Sequence, residues 1–205
     1  MSLNYLEIAK RIQAIAQAGL TFSDGAYDIE RYNELRKISV EMVSDLTGQD
    51  IKLVKEIFAS ETGYQTPKVD VRSVVFKDSK ILMVKETIDN CWSLPGGWAD
   101  VGYSPYEVAV KETLEESGFE VEPVRLLAVL DKSKHPHPDD IYHVYKLFIL
   151  CKLTGGDKKT SIETSEIGFF DRKKLPELSV PRNTASQIKL LFEFLDNPAK
   201  DVICD

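Results

Sequence analysis

Long apolar runs are missing from this chain of 205 residues, and cysteine is scarce. A membrane-spanning helix needs about 20 consecutive apolar residues, and charged residues interrupt the N-terminal segment before a signal peptide could form. The three cysteines, Cys91, Cys151 and Cys204, form no CxxC pair, so neither a zinc or redox motif nor a disulfide framework is indicated. We therefore expect a cytoplasmic protein with no membrane partner.

Basic residues are also fewer than acidic ones. The chain has 26 Lys and Arg and 33 Asp and Glu, which gives a net charge of -7. This balance argues against a general nucleic-acid-binding surface, and no stable nucleic-acid partner is expected. It is compatible with an acidic site that recruits a cation and, through the cation, a phosphate. With 43% hydrophobic residues, the chain can bury the core of one domain, with or without a small appendage.

The N-terminal part of the chain has helical periodicity. An apolar face that includes Tyr5, Ile12 and Ile15 predicts a first helix, and similar spacing predicts a second helix over 29–46 and a short third one over 51–59. The apolar surface of three such helices must pack on the next domain or on a second subunit.

After this region the pattern changes to strands. Gly63 and Pro67 break the helical periodicity, and apolar runs on both sides of Asp78-Ser79 predict a β-hairpin. Further strand-like runs cover 124–130 and 142–153, and helical spacing returns after Thr184. We predict an α+β fold with an all-helical N-terminal domain over 1–63 and a main domain over 64–205.

A capped helix is predicted in the middle of the main domain. Ser104 suits the N-cap, Pro105 the first helical position and Glu107 the third position of a capping box. Gly118 is a stop signal, so the helix covers about 105–117.

On this helix Glu112, Glu115 and Glu116 are spaced i, i+3 and i+4 and share one face. Three neighbouring carboxylates repel one another unless a cation lies between them, and hard oxygen ligands suit Mg²⁺, with Mn²⁺ as a substitute. A solvated acidic face is the alternative. The glycine loop just before the helix (residues 94–97, Leu-Pro-Gly-Gly) favours the cation site, because its backbone can approach closely and offer carbonyl ligands.

The segment 97–119 resembles the Nudix box, G-x5-E-x7-R-E-U-x-E-E-x-G-U, in which U is bulky and apolar. The matching residues are Gly97, Glu112, Glu115, Glu116, Gly118 and Phe119. The sequence departs from the pattern at Tyr103 (first glutamate), Lys111 (arginine) and Thr113 (apolar residue). Lys111 keeps the charge of the arginine but not its bidentate fork, and loss of the first glutamate could lower activity or shift the metal preference.

The resemblance extends over most of the chain. Segments 66–72, 92–98, 134–138 and 145–148 are similar to a Nudix subgroup that has a helical N-terminal domain. Members of this subgroup are described as ADP-ribose pyrophosphatase-like or as CDP-choline pyrophosphatases. The resemblance implies a Nudix αβα sandwich with a mixed sheet, a helical N-terminal domain and a homodimer.

The reaction implied by the resemblance is attack of water on one phosphorus of a diphosphate. We expect Glu112 and Glu116 to be metal ligands, Glu115 to be a ligand or the base, and the Gly97 carbonyl to be a further ligand.

In many family members the base lies in a loop outside the box. Glu163 and Glu166 occupy a suitable region of this sequence, and the alternative for both is an ordinary loop acid.

Candidate substrate-binding residues lie on both sides of the box. Arg72 could bind a phosphate through its planar fork or form a surface ion pair, and Trp98 could stack on a base or simply pack. Lys111 adds a positive charge within the box. His135 and His137 could contact substrate or belong to a polar loop, and they lack a third ligand for zinc.

The substrate placed first is CDP-choline, cleaved to CMP and phosphocholine, with ADP-ribose as the alternative. A non-catalytic nucleotide sensor is the alternative of another class, and RNA 3′ ends are at most a side activity. Substrate identity, the number of metal ions and the role of the N-terminal domain stay open at this level.

Overall fold

The computed structural model describes residues 4–205, and these divide into two units. The helical unit consists of the chain up to Pro67 together with the segment Asp139–His143. The sheet unit consists of Lys68–Pro138 and Val144–Asp205. Residues 1–3 of the predicted N-terminal domain lie outside the described part.

In the described part of the helical unit the chain forms α1 (Tyr5–Phe22), α2 (Ala26–Thr47) and α3 (Ile51–Phe58). The side chain of Asn4 caps α1, Gly48 with a φ of 68° ends α2, and Asp50 caps α3. The segment Asp139–His143 joins this unit because Lys10 Nζ donates to the carbonyl of Tyr142, whose hydroxyl donates to the carbonyl of Ile57.

The predicted apolar face of α1 is wrong in part. Tyr5 and Ile15 are 55% and 59% exposed, whereas Ala9 and Gln13 are fully buried. Gln13 is accommodated because its amide oxygen accepts from Ser39 Oγ on α2 at 3.2 Å. Small and hydrogen-bonded polar residues therefore form the packed face of α1, and part of its apolar surface is left exposed.

The sheet unit contains eight described strands. They are β1 (Lys68–Lys77), β2 (Lys80–Glu86), β3 (Trp92–Ser93), β4 (Gly96–Trp98), β5 (Phe119–Asp131), β6 (Val144–Gly156), β7 (Thr164–Phe170) and β8 (Ile203–Cys204). The order is β3-β2-β1-β6-β5-β8, with β4 paired to β1 and β7 paired to β2. The pairs β1–β6 and β5–β8 are parallel and the other pairs antiparallel, so the sheet is mixed.

The predicted hairpin is confirmed as β1–β2. Asp78 and Ser79 have φ angles of 50° and 58°, the left-handed values that a tight two-residue hairpin turn requires. Other strand bounds differ from the prediction. β5 starts earlier, at Phe119, and passes Pro123 through a register shift, while β6 starts later, at Val144.

Helices cover both faces of the sheet. α4 (Pro105–Ser117) packs on the face that presents Val71 and Val75, and α5 (Ala185–Asp196) packs on the face that presents Val74. Alternate residues of one strand point to opposite faces, so two separate cores form. The predicted α+β fold, an αβα sandwich preceded by helices, is confirmed.

Within residues 4–205 no helix combines the length and the apolarity that crossing a membrane requires.

Candidate active site

Helix α4 has the predicted bounds, and its first turn is held by the predicted capping box. The Glu107 N–H donates to Ser104 Oγ at 3.3 Å, and Glu107 Oε2 accepts from the Ser104 N–H at 2.8 Å. This backbone hydrogen bond lowers the pKa of Glu107. Gly118 ends the helix with a φ of 72°. Local sequence signals therefore fix the orientation of the acidic face.

The glycine loop lies directly against this helix, and its residues Gly96 and Gly97 belong to strand β4 rather than to a loop as predicted. Gly96 has a φ of 142°, and an added Cβ would collide with the carbonyl oxygen of Val71 and lie 2.9 Å from the Cα of Arg72. Only glycine fits, because this φ would direct a Cβ into the backbone of β1, with which β4 is paired here. The Gly96 N–H donates to Oε2 of Glu116 at 2.9 Å. Strand, loop and helix meet at this carboxylate.

Glu116 is the buried acid of the site, with 5% of its surface exposed. Burial raises its pKa to about 8, and the charges of Glu86 and Glu112 act in the same direction. The charge of Arg72 and the Gly96 N–H oppose this rise. A cation placed at this carboxylate would relieve an electrostatic cost that the fold leaves in place.

Glu112 lies on the same side of the helix as Glu116. Its Oε2 atom is 3.4 Å from the position that a Cβ on Gly97 would take, so its carboxylate borders the glycine loop. The carboxylates of Glu112 and Glu116 therefore both lie at the two glycines of this loop.

Glu115 is placed differently, because 58% of its side chain is exposed. Its carboxylate is 3.4 Å from Lys111 Nζ, which also lies 3.2 Å from Glu112 Oε1 and 3.6 Å from Asp100 Oδ2. The hydrogen bond to Glu112 raises the pKa of Lys111 above its usual range. Lys111 thus links two of the three acids, and the ring of Tyr103 lies 6.0 Å from its ammonium.

Among residues 4–205 no three side chains of the types His, Cys, Asp and Glu lie close enough together to hold a metal ion. The acids of α4 divide into the pair Glu112 and Glu116 at the glycine loop and the outer Glu115. Two carboxylates at the glycine loop are nevertheless hard oxygen donors, which fit a divalent cation that keeps waters.

Thr113 occupies the box position where an apolar residue is expected. It is fully buried, and its hydroxyl donates to the carbonyl of Ala109 at 2.7 Å and lies 2.8 Å from Ser73 Oγ. The hydroxyl is therefore satisfied inside the core, and the substitution leaves the helix seated on β1.

Arg72 is an interior residue. Its Nε donates to Asp70 Oδ1 at 2.8 Å and its Nη1 donates to the carbonyl of Leu94 at 3.1 Å. Asp70 also binds the ammonium of Lys146, which is fully buried. Burial lowers the pKa of Lys146 to about 8, while Arg72 and Lys146 hold the pKa of Asp70 low against its own burial. The ion pair considered in the sequence exists, but it is buried rather than at the surface.

Glu163 and Glu166 have different environments. Glu166 is in strand β7 rather than in a loop, and it forms an ion pair with Lys85 at 2.8 Å. Glu163 is exposed and lies in the turn before β7. The next residue, Thr164, donates from Oγ1 to the carbonyl of Glu116 at 2.7 Å. This bond brings the turn to the end of α4.

His135 and His137 are bonded to other parts of the sheet unit. His135 Nε2 is 2.9 Å from Asp205 Oδ2, and His137 Nδ1 is 2.7 Å from the carbonyl of Val180. Burial and nearby positive charges lower the pKa of His137 to about 4.

The two tryptophans beside the glycine loop also differ. Trp92 packs edge-on against Phe170, with ring centroids 4.6 Å apart. Trp98 is the last residue of β4, directly after Gly97, and is 52% exposed. Of the two residues, Trp98 is the more exposed.

Sequence reasoning missed Asp70, Lys146 and Asn183. The first two carried a signal, because each places a charge inside an apolar strand-like run. Asn183 carried none. It is fully buried, and its Oδ1 accepts from the Leu94 N–H at 2.8 Å.

Comparisons with known proteins agree with the fold. A family model described as the NUDIX domain matches residues 66–193, and one described as a UDP-X-like, N-terminal oligomerisation domain matches residues 4–58. The chain is 53% identical over 201 residues to "Putative ADP-ribose pyrophosphatase YjhB" of Bacillus subtilis (strain 168). This match covers 98% of this chain and 97% of that protein.

Two solved structures are similar. An ADP-ribose pyrophosphatase from Streptococcus suis 89-1591 has a TM-score of 0.63 and 44% identity, and the match covers 68% of this chain and 100% of that one. A UDP-X diphosphatase has a TM-score of 0.65 and 35% identity, and the match covers 98% of each chain.

Proposed function

The chain belongs to the Nudix family and is a pyrophosphohydrolase, and we propose that its substrate is ADP-ribose, cleaved to AMP and ribose 5-phosphate. The observation that carries this choice is the 53% identity over nearly the whole length to a protein named for that activity. The named relatives support ADP-ribose better than CDP-choline, which the sequence analysis placed first. CDP-choline therefore becomes a comparison substrate.

A UDP-linked compound is the second candidate. The supporting observation is the similarity to a UDP-X diphosphatase, which covers 98% of both chains and so includes the N-terminal helices. The ADP-ribose pyrophosphatase of known structure matches 68% of this chain. The identity values, 44% against 35%, favour ADP-ribose.

Nudix hydrolases use divalent metal ions, and we propose Mg²⁺ here, with Mn²⁺ as a substitute. Glu112, Glu116 and the Gly97 carbonyl would hold the ion. When bound, such an ion neutralises phosphate oxygens and lowers the pKa of water. Lys111 orients Glu112 through its 3.2 Å contact, and we propose that it does part of what an arginine does at that box position.

We propose Glu163 as the general base that takes the proton of the attacking water. In the described residues its carboxylate has no ion pair, whereas Glu166 is paired with Lys85. The bond from Thr164 Oγ1 to the Glu116 carbonyl supports a position of this turn next to the acid pair. Glu115 is paired with Lys111 and exposed, so we assign it a smaller part.

For substrate contact we propose Trp98 and Lys111. The Trp98 ring is exposed next to the glycine loop and offers a stacking surface for a base. Arg72, His135 and His137 bond to partners within the sheet unit, which favours structural roles for them.

We also propose a homodimer formed through the helical unit. A model described as an oligomerisation domain matches residues 4–58. Large apolar side chains of this unit are exposed, namely Tyr5, Ile15, Phe22 and Tyr27. We keep the cytoplasm as the proposed location because the three cysteines are unpaired.

The test is product analysis after incubation with Mg²⁺ and ADP-ribose, CDP-choline or a UDP-sugar. We expect AMP and ribose 5-phosphate, with a kcat/KM for ADP-ribose about tenfold or more above the others. Faster cleavage of CDP-choline or of the UDP-sugar would replace the proposed substrate. Tight binding without turnover of any compound would instead support the nucleotide sensor.

A further inference from the structure

We propose that Asn183 and Arg72 are positioning residues, which hold Leu94 from two sides and thereby place Gly96 and Gly97 against Glu112 and Glu116. The inference rests on the proposed function, since it takes the acid pair and the Gly97 carbonyl as the cation site. Neither residue belongs to the box, and Asn183 lies far from it in the sequence.

Leu94 is the point where the two side chains meet. The Leu94 N–H donates to Asn183 Oδ1 at 2.8 Å, and the Leu94 carbonyl accepts from Arg72 Nη1 at 3.1 Å. Leu94, Asn183 and Arg72 are all buried, so water does not compete for these bonds. Loss of either side chain would leave a buried backbone group without its partner.

The rest of the glycine loop is held in the same way. The Pro95 carbonyl accepts from the Ser73 N–H at 2.8 Å, and the Gly96 N–H donates to Glu116 at 2.9 Å. Proline has no N–H of its own, so every polar backbone group from the Leu94 N–H to the Gly96 N–H has a partner. The loop therefore cannot shift without breaking several buried bonds at once.

Asn183 comes from a segment that is itself anchored beside the loop. The anchor segment (residues 177–183) bonds through its backbone to Trp92: the Trp92 N–H donates to the Glu177 carbonyl and the Ser179 N–H to the Trp92 carbonyl, each at 2.8 Å. The Asn183 N–H donates to the Ser179 carbonyl at 2.9 Å. Only the amide oxygen of Asn183 can accept from Leu94, which fixes the orientation of this side chain.

Arg72 is anchored by charge. Asp70 accepts from its Nε and also binds the buried ammonium of Lys146. Burying such a cluster carries a desolvation cost, and a well-packed apolar cluster of the same volume would often be as stable. The cluster fixes the guanidinium so that Nη1 points at the Leu94 carbonyl, which an apolar side chain could not do.

Small displacements of a cation ligand have large effects. Loss of partners that orient metal ligands typically costs about 10–100-fold in metal affinity or activity. A displacement of a reacting group by about 1 Å can lower the rate about 100-fold. The hydrogen bonds from Asn183 and Arg72 to Leu94 are called the two clamps below. Their loss should affect cation binding and kcat more than substrate affinity.

The experiment measures Mn²⁺ binding by the electron paramagnetic resonance of free Mn²⁺, together with kcat and KM for the best substrate. The variants are Asn183→Leu, Asn183→Asp, which keeps an acceptor oxygen, and Arg72→Lys. The matched control is Gln187→Leu. It also removes a buried amide, which caps α5 by accepting from the Thr184 N–H at 3.1 Å, and it leaves the Leu94 bond untouched.

We expect Asn183→Leu and Arg72→Lys to weaken Mn²⁺ binding and lower kcat by about 10-fold or more, with KM changed less than about threefold. Asn183→Asp should recover much of the Mn²⁺ affinity. Gln187→Leu should lower the melting temperature and leave Mn²⁺ affinity near that of the wild type. If Asn183→Leu does not fold, Asn183→Ser replaces it, with the same expectation.

Two results would overturn the proposal, and they differ from a failure of the proposed substrate. If Asn183→Leu and Arg72→Lys lose stability as Gln187→Leu does but bind Mn²⁺ like the wild type, the clamps are only structural. If the wild type binds no Mn²⁺, both the proposed clamps and the proposed cation site are contradicted. Mn²⁺ binding that follows the expected order supports the proposal even where ADP-ribose is not cleaved.

Discussion

The backbone N–H of Gly96 donates to Oε2 of Glu116 over 2.9 Å, and this bond joins the glycine loop to the acidic face of α4. Because Glu116 is buried, this N–H and the charge of Arg72 are what oppose protonation of its carboxylate. Loop and helix thus form one structural element, in which the conformation of a glycine determines the environment of an acid.

Replacing Gly96 by alanine should disrupt this element. The new Cβ would collide with the Val71 carbonyl in a backbone conformation that L residues rarely adopt, so we expect a loss of roughly 2–4 kcal/mol in the free energy of unfolding. Urea denaturation measures it. The control is Gly102→Ala, which has a φ of 98° but no neighbour within 4 Å and should cost only about 1–2 kcal/mol. Equal losses in both variants would contradict the close approach at Gly96.

The acids of α4 should not contribute equally to turnover. Glu116→Gln should lower kcat about 100-fold or more without lowering the melting temperature, because it removes a charge that burial already disfavours. Glu115→Gln changes an exposed residue and should keep at least about a tenth of the activity. If Glu115→Gln lost more activity than Glu116→Gln, the site would lie on the outer side of the helix.

The candidate bases can be separated by a matched pair of variants. Glu163→Gln should lower kcat about 100-fold or more, because a positioned base typically contributes that much. Glu166→Gln breaks an exposed ion pair with Lys85, which is worth at most about 1 kcal/mol, and should leave kcat near the wild-type value. A large loss in Glu166→Gln alone would transfer the role of the base to β7.

Local signals were sufficient for the parts of the site that lie close together in sequence. The capping box at Ser104 and Glu107, the stop at Gly118 and the turn at Asp78-Ser79 depend on neighbours a few residues away, and the structure confirms them. The acid spacing on α4 also follows from helix geometry alone.

Other features depend on contacts between distant segments. Strand β7 was missed because its pairing partner β2 lies some 80 positions away in the chain, as the register Lys85–Glu166 illustrates. The buried face of α1 was misjudged because Gln13 is stabilised by Ser39 of another helix. Likewise, the role of Asn183 becomes visible only once the fold brings it to Leu94.

His137 should make the protein less stable in acid. Burial and the positive charges of Lys146, Lys132 and His135 lower its folded-state pKa to about 4, below the usual 6.5. Between these values the unfolded chain binds a proton that the folded chain does not, so stability falls as the pH falls from about 6.5 to about 4.

A pKa shift of one unit corresponds to about 1.4 kcal/mol in the free energy of unfolding. Because His137 is partly exposed, we expect its protonation to lower that free energy by roughly 1–2 kcal/mol in total. Urea titrations of the wild type and of His137→Gln at pH 4.5 and 7 measure the difference. The variant should lose less stability on acidification. A wild type and variant with parallel pH dependence would show that His137 titrates normally in the folded state.

The most direct measurement is the release of AMP and ribose 5-phosphate from ADP-ribose with Mg²⁺, by the wild type and by the double variant Glu112→Gln/Glu116→Gln. We expect both products from the wild type and none above background from the folded double variant. Wild-type protein that leaves ADP-ribose intact, or a double variant that cleaves it at the wild-type rate, would contradict hydrolysis at the acid pair.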